Sequence, residues 1–148
     1  DTSKLPFDIL LLFGSGFALA KGFESSGLSN YLAAQLNFLQ GVHPLMILFI
    51  VCIIITIISE FASNVASIQL ALPILIALQN AMHLHPMLLL VPATLAASLG
   101  FMMPVATAPN TIVFSSGHIK TREMGFAGFW VNLSGIILIS LISYFLLA

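Results

Sequence analysis

The chain has 148 residues, 59% of them hydrophobic and 6% charged, with a net charge of −1, where an ordinary soluble domain carries about 25% charged residues. Four Lys+Arg against five Asp+Glu, without a basic cluster, leave no face for nucleic acid. A mean hydropathy of +1.12 excludes a water-soluble globular enzyme and points to an all-α integral membrane protein in a lipid bilayer.

In chain order, the opening Asp1-Thr2-Ser3-Lys4 lacks an initiator Met and the zones of a signal peptide, which suggests a fragment or processed piece. Residues 5–22 are expected to form a transmembrane helix, with Pro6 tolerated in its first turn and Gly14-Ser15-Gly16 read as a packing patch rather than a nucleophile elbow. Over residues 27–40 the apolar Leu28, Tyr31, Leu32, Leu36 and Leu39 recur at helical spacing among Ser, Asn and Gln. That stretch is too short to span, so an interfacial amphipathic helix is preferred over a helix packed on a partner.

Residues 44–80 carry two apolar runs, 44–58 and 68–78, around the small and polar string Ser59-Glu60-Phe61-Ala62-Ser63-Asn64-Val65-Ala66-Ser67. The first run is about 22 Å long as a helix and falls short of a span of about 30 Å. Two short arms with a polar tip predict a re-entrant hairpin, in preference to two spans joined by a surface loop, with the tip buried in protein or lining a wet cavity. Cys52 lies in the first run and serves as membrane filler. His43, His83 and His85 flank the open end and are read as surface residues, because two His without further ligands make no metal site.

Residues 86–116 predict a broken helix. A first half over 87–103 meets Pro104-Val105-Ala106-Thr107-Ala108-Pro109-Asn110, where two prolines remove amide donors and free carbonyls. The segment 116–123, with Lys120, Arg122 and Glu123, reads as an aqueous loop on the cytoplasmic side. The final transmembrane helix over 126–148 then runs outward, the broken helix inward, and the hairpin opens from outside.

Helix ends at mid-membrane expose carbonyls, which suit a hard cation, and amides, which suit an anion. Carbonyls at the end of the first arm, near residues 59–62, with the Asn64 side chain, suit Na⁺. The amides of residues 64–66 with the Ser63 hydroxyl suit a carboxylate or sulfate. Ala106 supplies a further carbonyl, Thr107 a hydroxyl, and the restart after Pro109 a second positive helix end. Glu60 is costly inside an apolar stretch; anchoring to a donor in another segment is the preferred reading, with a neutral carboxyl as the other.

The string Ser59-Glu60-Phe61-Ala62-Ser63-Asn64-Val65, followed by Met103-Pro104-Val105-Ala106-Thr107-Ala108-Pro109-Asn110-Thr111-Ile112-Val113-Phe114, resembles the C-terminal half of the divalent-anion/sodium symporters. That family includes the sodium-dependent dicarboxylate and citrate transporters. Leu10-Leu11-Leu12-Phe13-Gly14-Ser15-Gly16-Phe17-Ala18-Leu19-Ala20 is similar to it as well. The resemblance implies an elevator-type carrier, usually a homodimer, built from two inverted repeats, of which this chain is the second and lacks the N-terminal one. It implies that Ser59, Ala62, Asn64 and Ala106 surround one Na⁺, and that Ser63, Asn64, Val65 and Thr107 face a small anionic substrate. Val65 stands where the motif has Thr and bears on substrate preference. The expected function is sodium-coupled symport of di- or tricarboxylates, C4 dicarboxylates such as succinate or malate first, and not an enzymatic reaction. Sodium-independent anion exchange, transport of sulfate or another oxyanion, and a noncatalytic membrane subunit are the alternatives.

Overall fold

The computed structural model describes residues 7–35 and 41–147, and all regular structure among them is helical. The elements are α1 (Phe7–Ser25), α2 (Leu28–Gln35), α3 (Pro44–Phe61), α4 (Asn64–Met82), α5 (Pro86–Ala96), α6 (Ala108–Ser115) and α7 (Thr121–Leu147). Helices α3, α5 and α7 pack on one another around Leu48, Cys52, Leu88, Leu89, Ala93 and Ile136. On one side α4 lies against α3 and α5, and on the other it carries α1 and α2.

Two helices start on the same device. His43 and His85 are extended N-caps whose Nδ1 atoms accept from the Leu45 and Met87 amides, at 3.3 and 3.4 Å. A proline follows each of them in the first turn, where its missing N–H costs nothing. The histidines flanking the hairpin mouth are thus exposed helix caps, and among the described residues no group of His, Cys, Asp and Glu is arranged to hold a metal ion.

Helices α3 and α4 form the hairpin, joined by only Ala62 and Ser63. Their 18 and 19 residues, about 27 Å each, exceed the apolar runs because helix continues through Ser59 and Glu60 and resumes at Asn64. By length and composition α3, α4 and α7 could each cross a membrane. The tip nevertheless stops beside the middle of α7, since Glu60 bonds Asn132, the twelfth of that helix's 27 residues. At the other end of the hairpin His43 Nε2 meets the Tyr144 hydroxyl at 3.5 Å.

The broken helix departs from expectation. Helix α5 ends at Ala96, eight residues before Pro104, and α6 begins at Ala108 with Pro109 inside its first turn. Pro73 and Pro92 meanwhile lie inside α4 and α5, so prolines do not mark the break. The bonds that oppose continuation come from α3. Thr56 Oγ1 donates to the Ala96 carbonyl at 3.2 Å, and Ser59 Oγ bonds the Ala97 carbonyl. Glu60 takes the Met102 and Met103 amides that a continued helix would have used.

Helix α2 packs on α4 and α1, while residues 36–40 of the expected amphipathic stretch lie outside the described residues. Helix α7 starts at Thr121, five residues ahead of its apolar run, because the Glu123 carboxylate reaches back to the Lys120 amide at 3.1 Å. Helix α1 is 19 residues long but carries Asp8, Lys21 and Glu24. The outer faces expose Phe126, Trp130, Phe145 and Leu146, an exterior that belongs in lipid or against further protein.

Candidate functional site

The hairpin tip and the break meet. Ser59, in the last turn of α3, is fully buried, and its hydroxyl lies 2.7 Å from Asn64 Oδ1 as well as against the Ala97 carbonyl. A Cβ placed on Gly100 would come within 3.2 Å of Ala106 Cβ and 3.6 Å of both Asn64 Oδ1 and Thr107 Cγ2. Side chains from the end of α3, the start of α4 and the end of the break therefore share one locus with the backbone of Ala97 and Gly100, and glycine at 100 permits that approach.

Irregular backbone buried in protein needs its polar groups partnered, and side chains do much of it here. Asn110 Nδ2 donates to the Gly100 and Met103 carbonyls at 2.7 and 3.0 Å. Thr111 Oγ1 donates to the Pro104 carbonyl at 2.7 Å. Glu60, 3% exposed, accepts the Met102 amide on Oε1 and the Met103 amide on Oε2, both at 2.9 Å, and Asn132 Nδ2 on Oε1 at 2.6 Å. The carboxylate is thus an anchor to other segments, holding the break to α3 and both to α7.

Three oxygens, Ser59 Oγ, Asn64 Oδ1 and the Ala97 carbonyl, converge on one hydroxyl hydrogen, which can serve only one acceptor at a time. Oxygen-rich and hydrogen-poor surroundings of this kind match a hard cation such as Na⁺. Immediately beside them α4 begins. Its first ladder bond runs from the Ser67 amide to the Ser63 carbonyl, so the amides of Asn64, Val65 and Ala66 precede the ladder. Ser63 is the N-cap but makes no side-chain cap bond. That helix end is open to an anion.

The residues expected at the site fall as follows. Ser59, Asn64, Ala106 and Thr107 come together around Gly100 and Ala97. Ala62 is extended at the C-cap of α3 with its amide on the Ile58 carbonyl, which leaves its own carbonyl outside both helix ladders. Ser63 and Val65 are exposed at the tip. Thr107 Oγ1 accepts the Asn110 amide at 3.3 Å as N-cap of α6, and its hydroxyl hydrogen remains available. One expectation is corrected. The restart offers little as a second anion end, because Pro109 has no N–H and Thr107 already caps Asn110.

Sequence reasoning missed the Ala97 carbonyl, Gly100 and Asn132. The first two follow from a break set by tertiary bonds, which no proline announces. Asn132 was visible as a lone amide in an apolar run.

Residues 1–147 match the family described as "Sodium:sulfate symporter transmembrane region". The chain is 48% identical over 142 residues to the sodium-dependent dicarboxylate transporter SdcS of Staphylococcus saprophyticus, covering 96% of this chain and 27% of that one. It is 50% identical over 138 residues to solute carrier family 13 member 2 of Rattus norvegicus, covering 93% and 24%. Over 137 residues it is 44% identical to the Na(+)/dicarboxylate cotransporter 3 of the same species, covering 93% and 23%. The chain spans about a quarter of the length of these relatives. With its apolar helices and its paired hairpin and helix break, this chain belongs to the sodium:sulfate symporter transmembrane family of multi-pass integral proteins of the cell membrane.

Proposed function

We propose that this chain is part of a sodium-coupled symporter for C4 dicarboxylates such as succinate or malate, in which one Na⁺ and one substrate carboxylate meet where the hairpin tip touches the helix break. Ser59, Ala62, Asn64 and Ala106, joined by the Ala97 carbonyl, surround the ion. Ser63, Asn64, Val65 and Thr107 face the carboxylate, Val65 through its backbone amide alone. The observation that carries this reading is the convergence of Ser59 Oγ, Asn64 Oδ1 and the Ala97 carbonyl on a single hydrogen, next to the uncapped start of α4.

Coupling follows from Asn64. Its side chain belongs to the cation and its backbone opens the helix end that holds the anion, so each ligand orders the residue the other needs. Opposite charges side by side also offset part of each other's burial cost. Transport proceeds by an elevator-type movement of the hairpin and broken helix as one body. In support of unit movement, Cys52, Thr56 and Ser59 of α3 all bond α5 or its end, at the Pro92, Ala96 and Ala97 carbonyls. The other inverted repeat, from the remaining length of a homodimeric carrier, completes the substrate site. Sulfate is the second reading because the family description names it.

The test is uptake by proteoliposomes holding the carrier that contains this segment, with labelled succinate, malate, citrate and sulfate, with and without a sodium gradient. Sodium-driven dicarboxylate uptake, abolished by Asn64→Ala, is expected. Sodium-driven uptake of sulfate alone selects the second reading, and gradient-independent exchange sinks the symport.

A further inference from the structure

The polar groups of the break are partnered from α3, from the break itself and from α6, and α7 joins them only through Glu60 of α3, a contribution with no place in the ion or carboxylate shell. Asn132 is 4% exposed and stands near the middle of the longest helix. Its Nδ2 donates to Glu60 Oε1 at 2.6 Å, while its Oδ1 is buried with no partner. A buried acceptor without a partner is a cost that an apolar residue in an apolar helix would avoid. What Asn132 gives in return is its bond to the carboxylate.

From that bond a continuous set of contacts leads to the ion locus. The Glu60 carboxylate holds the Met102 and Met103 amides. The Met103 carbonyl shares Asn110 Nδ2 with the Gly100 carbonyl. Gly100 in turn packs against Asn64, Ala106 and Thr107. One turn before Asn132, Gly128 lets the break lie directly on α7, where a Cβ would fall 2.2 Å from the Phe101 carbonyl oxygen and 2.7 Å from Met102 Cα. Helix α7 thus meets the break directly at Gly128 and reaches it indirectly through the Asn132–Glu60 hydrogen bond.

We propose that Asn132 is a positioning residue of the cation site, acting through Glu60 to set where the Ala97, Gly100 and Ala106 backbone stands relative to Asn64. The inference rests on the reading of that locus as a sodium site. Asn64 and Thr107, at the end of this network, also face the carboxylate in that reading, while no hydrogen bond joins Ser63 or Val65 to it, so loss of the Asn132 bond is expected to fall more on sodium than on substrate.

The experiment measures uptake by the reconstituted carrier over a sodium titration, and the dicarboxylate KM at saturating sodium. Asn132→Leu is expected to raise half-saturating sodium by roughly fivefold, with the dicarboxylate KM moving less than about twofold. Asn132→Asp sets two carboxylates face to face and is expected to do more harm; adding Glu60→Gln returns one carboxylate and one amide to the pair and recovers part of the loss, a coupling that independent sites do not show. An assembled Asn132→Leu carrier with an unchanged sodium titration overturns the inference while leaving sodium-driven uptake, and hence the proposed function, intact. If Asn132→Leu does not assemble, Asn132→Ser replaces it; failure of both to assemble also overturns the inference, since the residue then acts on folding. A wild-type carrier without sodium-driven uptake removes the proposed function instead.

Discussion

At the scale of single residues, the site separates groups that hold their own protein from groups left for a ligand. Asn110, Thr111 and Glu60 spend their hydrogen bonds on the break. Ser63 makes no cap bond, and Thr107 accepts one while keeping a hydrogen to give. Thr107 therefore does two things through one oxygen, which a pair of substitutions can divide. Thr107→Ser keeps both the cap and the hydroxyl, and its dicarboxylate KM is expected to stay within about twofold of wild type. Thr107→Ala loses both, at about 1 kcal/mol for the cap and a further hydrogen bond to a charged substrate, so KM is expected to rise by roughly tenfold or more. Initial uptake rates at saturating sodium decide it, and a wild-type KM in Thr107→Ala removes Thr107 from the substrate site.

Elements show where reading from sequence stops. The turn was legible because a polar string between two apolar runs marks where the chain reverses, and α3 and α4 meet at Ala62 and Ser63 inside that string, whereas the arm lengths were not, since each helix runs on to the length of a membrane span. The start of the break was not legible. Local punctuation pointed to Pro104, yet α5 runs through Pro92 and then stops at Ala96 in a stretch with no proline, because Thr56, Ser59 and Glu60, some 40 residues earlier, take its carbonyls and amides. Competition between distant side chains and the helix ladder leaves no periodic signal. The same element-level packing predicts an asymmetry among glycines. Gly22, in α1, has nothing within 4 Å of an added Cβ, whereas Gly128 has backbone at 2.2 Å. In thermal unfolding of the purified carrier, Gly22→Ala is expected to be neutral or to gain up to about 1 kcal/mol from helix propensity. Gly128→Ala is expected to lose at least about 2 kcal/mol, since it must push the break off α7. Equal stability of the two variants would mean that α7 and the break are not in contact.

For the whole molecule, the hairpin's two arms are each long and apolar enough to cross a bilayer, yet its tip stops beside the middle of α7. Its position is fixed against α7 at both ends. The open end lies at Tyr144, near the end of that helix, and the tip at Asn132, near its middle. His43 and Glu60, at the two ends of α3, meet α7 at Tyr144 and Asn132, 12 residues apart. With α7 spanning a bilayer, a tip at its middle has irregular backbone that only protein or water can satisfy. Ser63 is exposed at that tip, and the only cysteine in the chain, Cys52, is fully buried, so a Ser63→Cys carrier reports on the tip against a quiet background from this segment. On the proposed function the tip faces an aqueous cavity, so a water-soluble, membrane-impermeant maleimide is expected to label it, whereas Phe145→Cys, on the exposed apolar face of α7, is expected to resist. Sodium together with dicarboxylate is expected to slow labelling of Ser63→Cys, and sodium alone to slow it less, since the proposed ion locus lies behind the tip at Ser59 and the proposed carboxylate locus in front of it. A tip that never labels lies in lipid or sealed protein and ends the cavity, while one that labels at the same rate with and without ligands is a surface loop and ends the site.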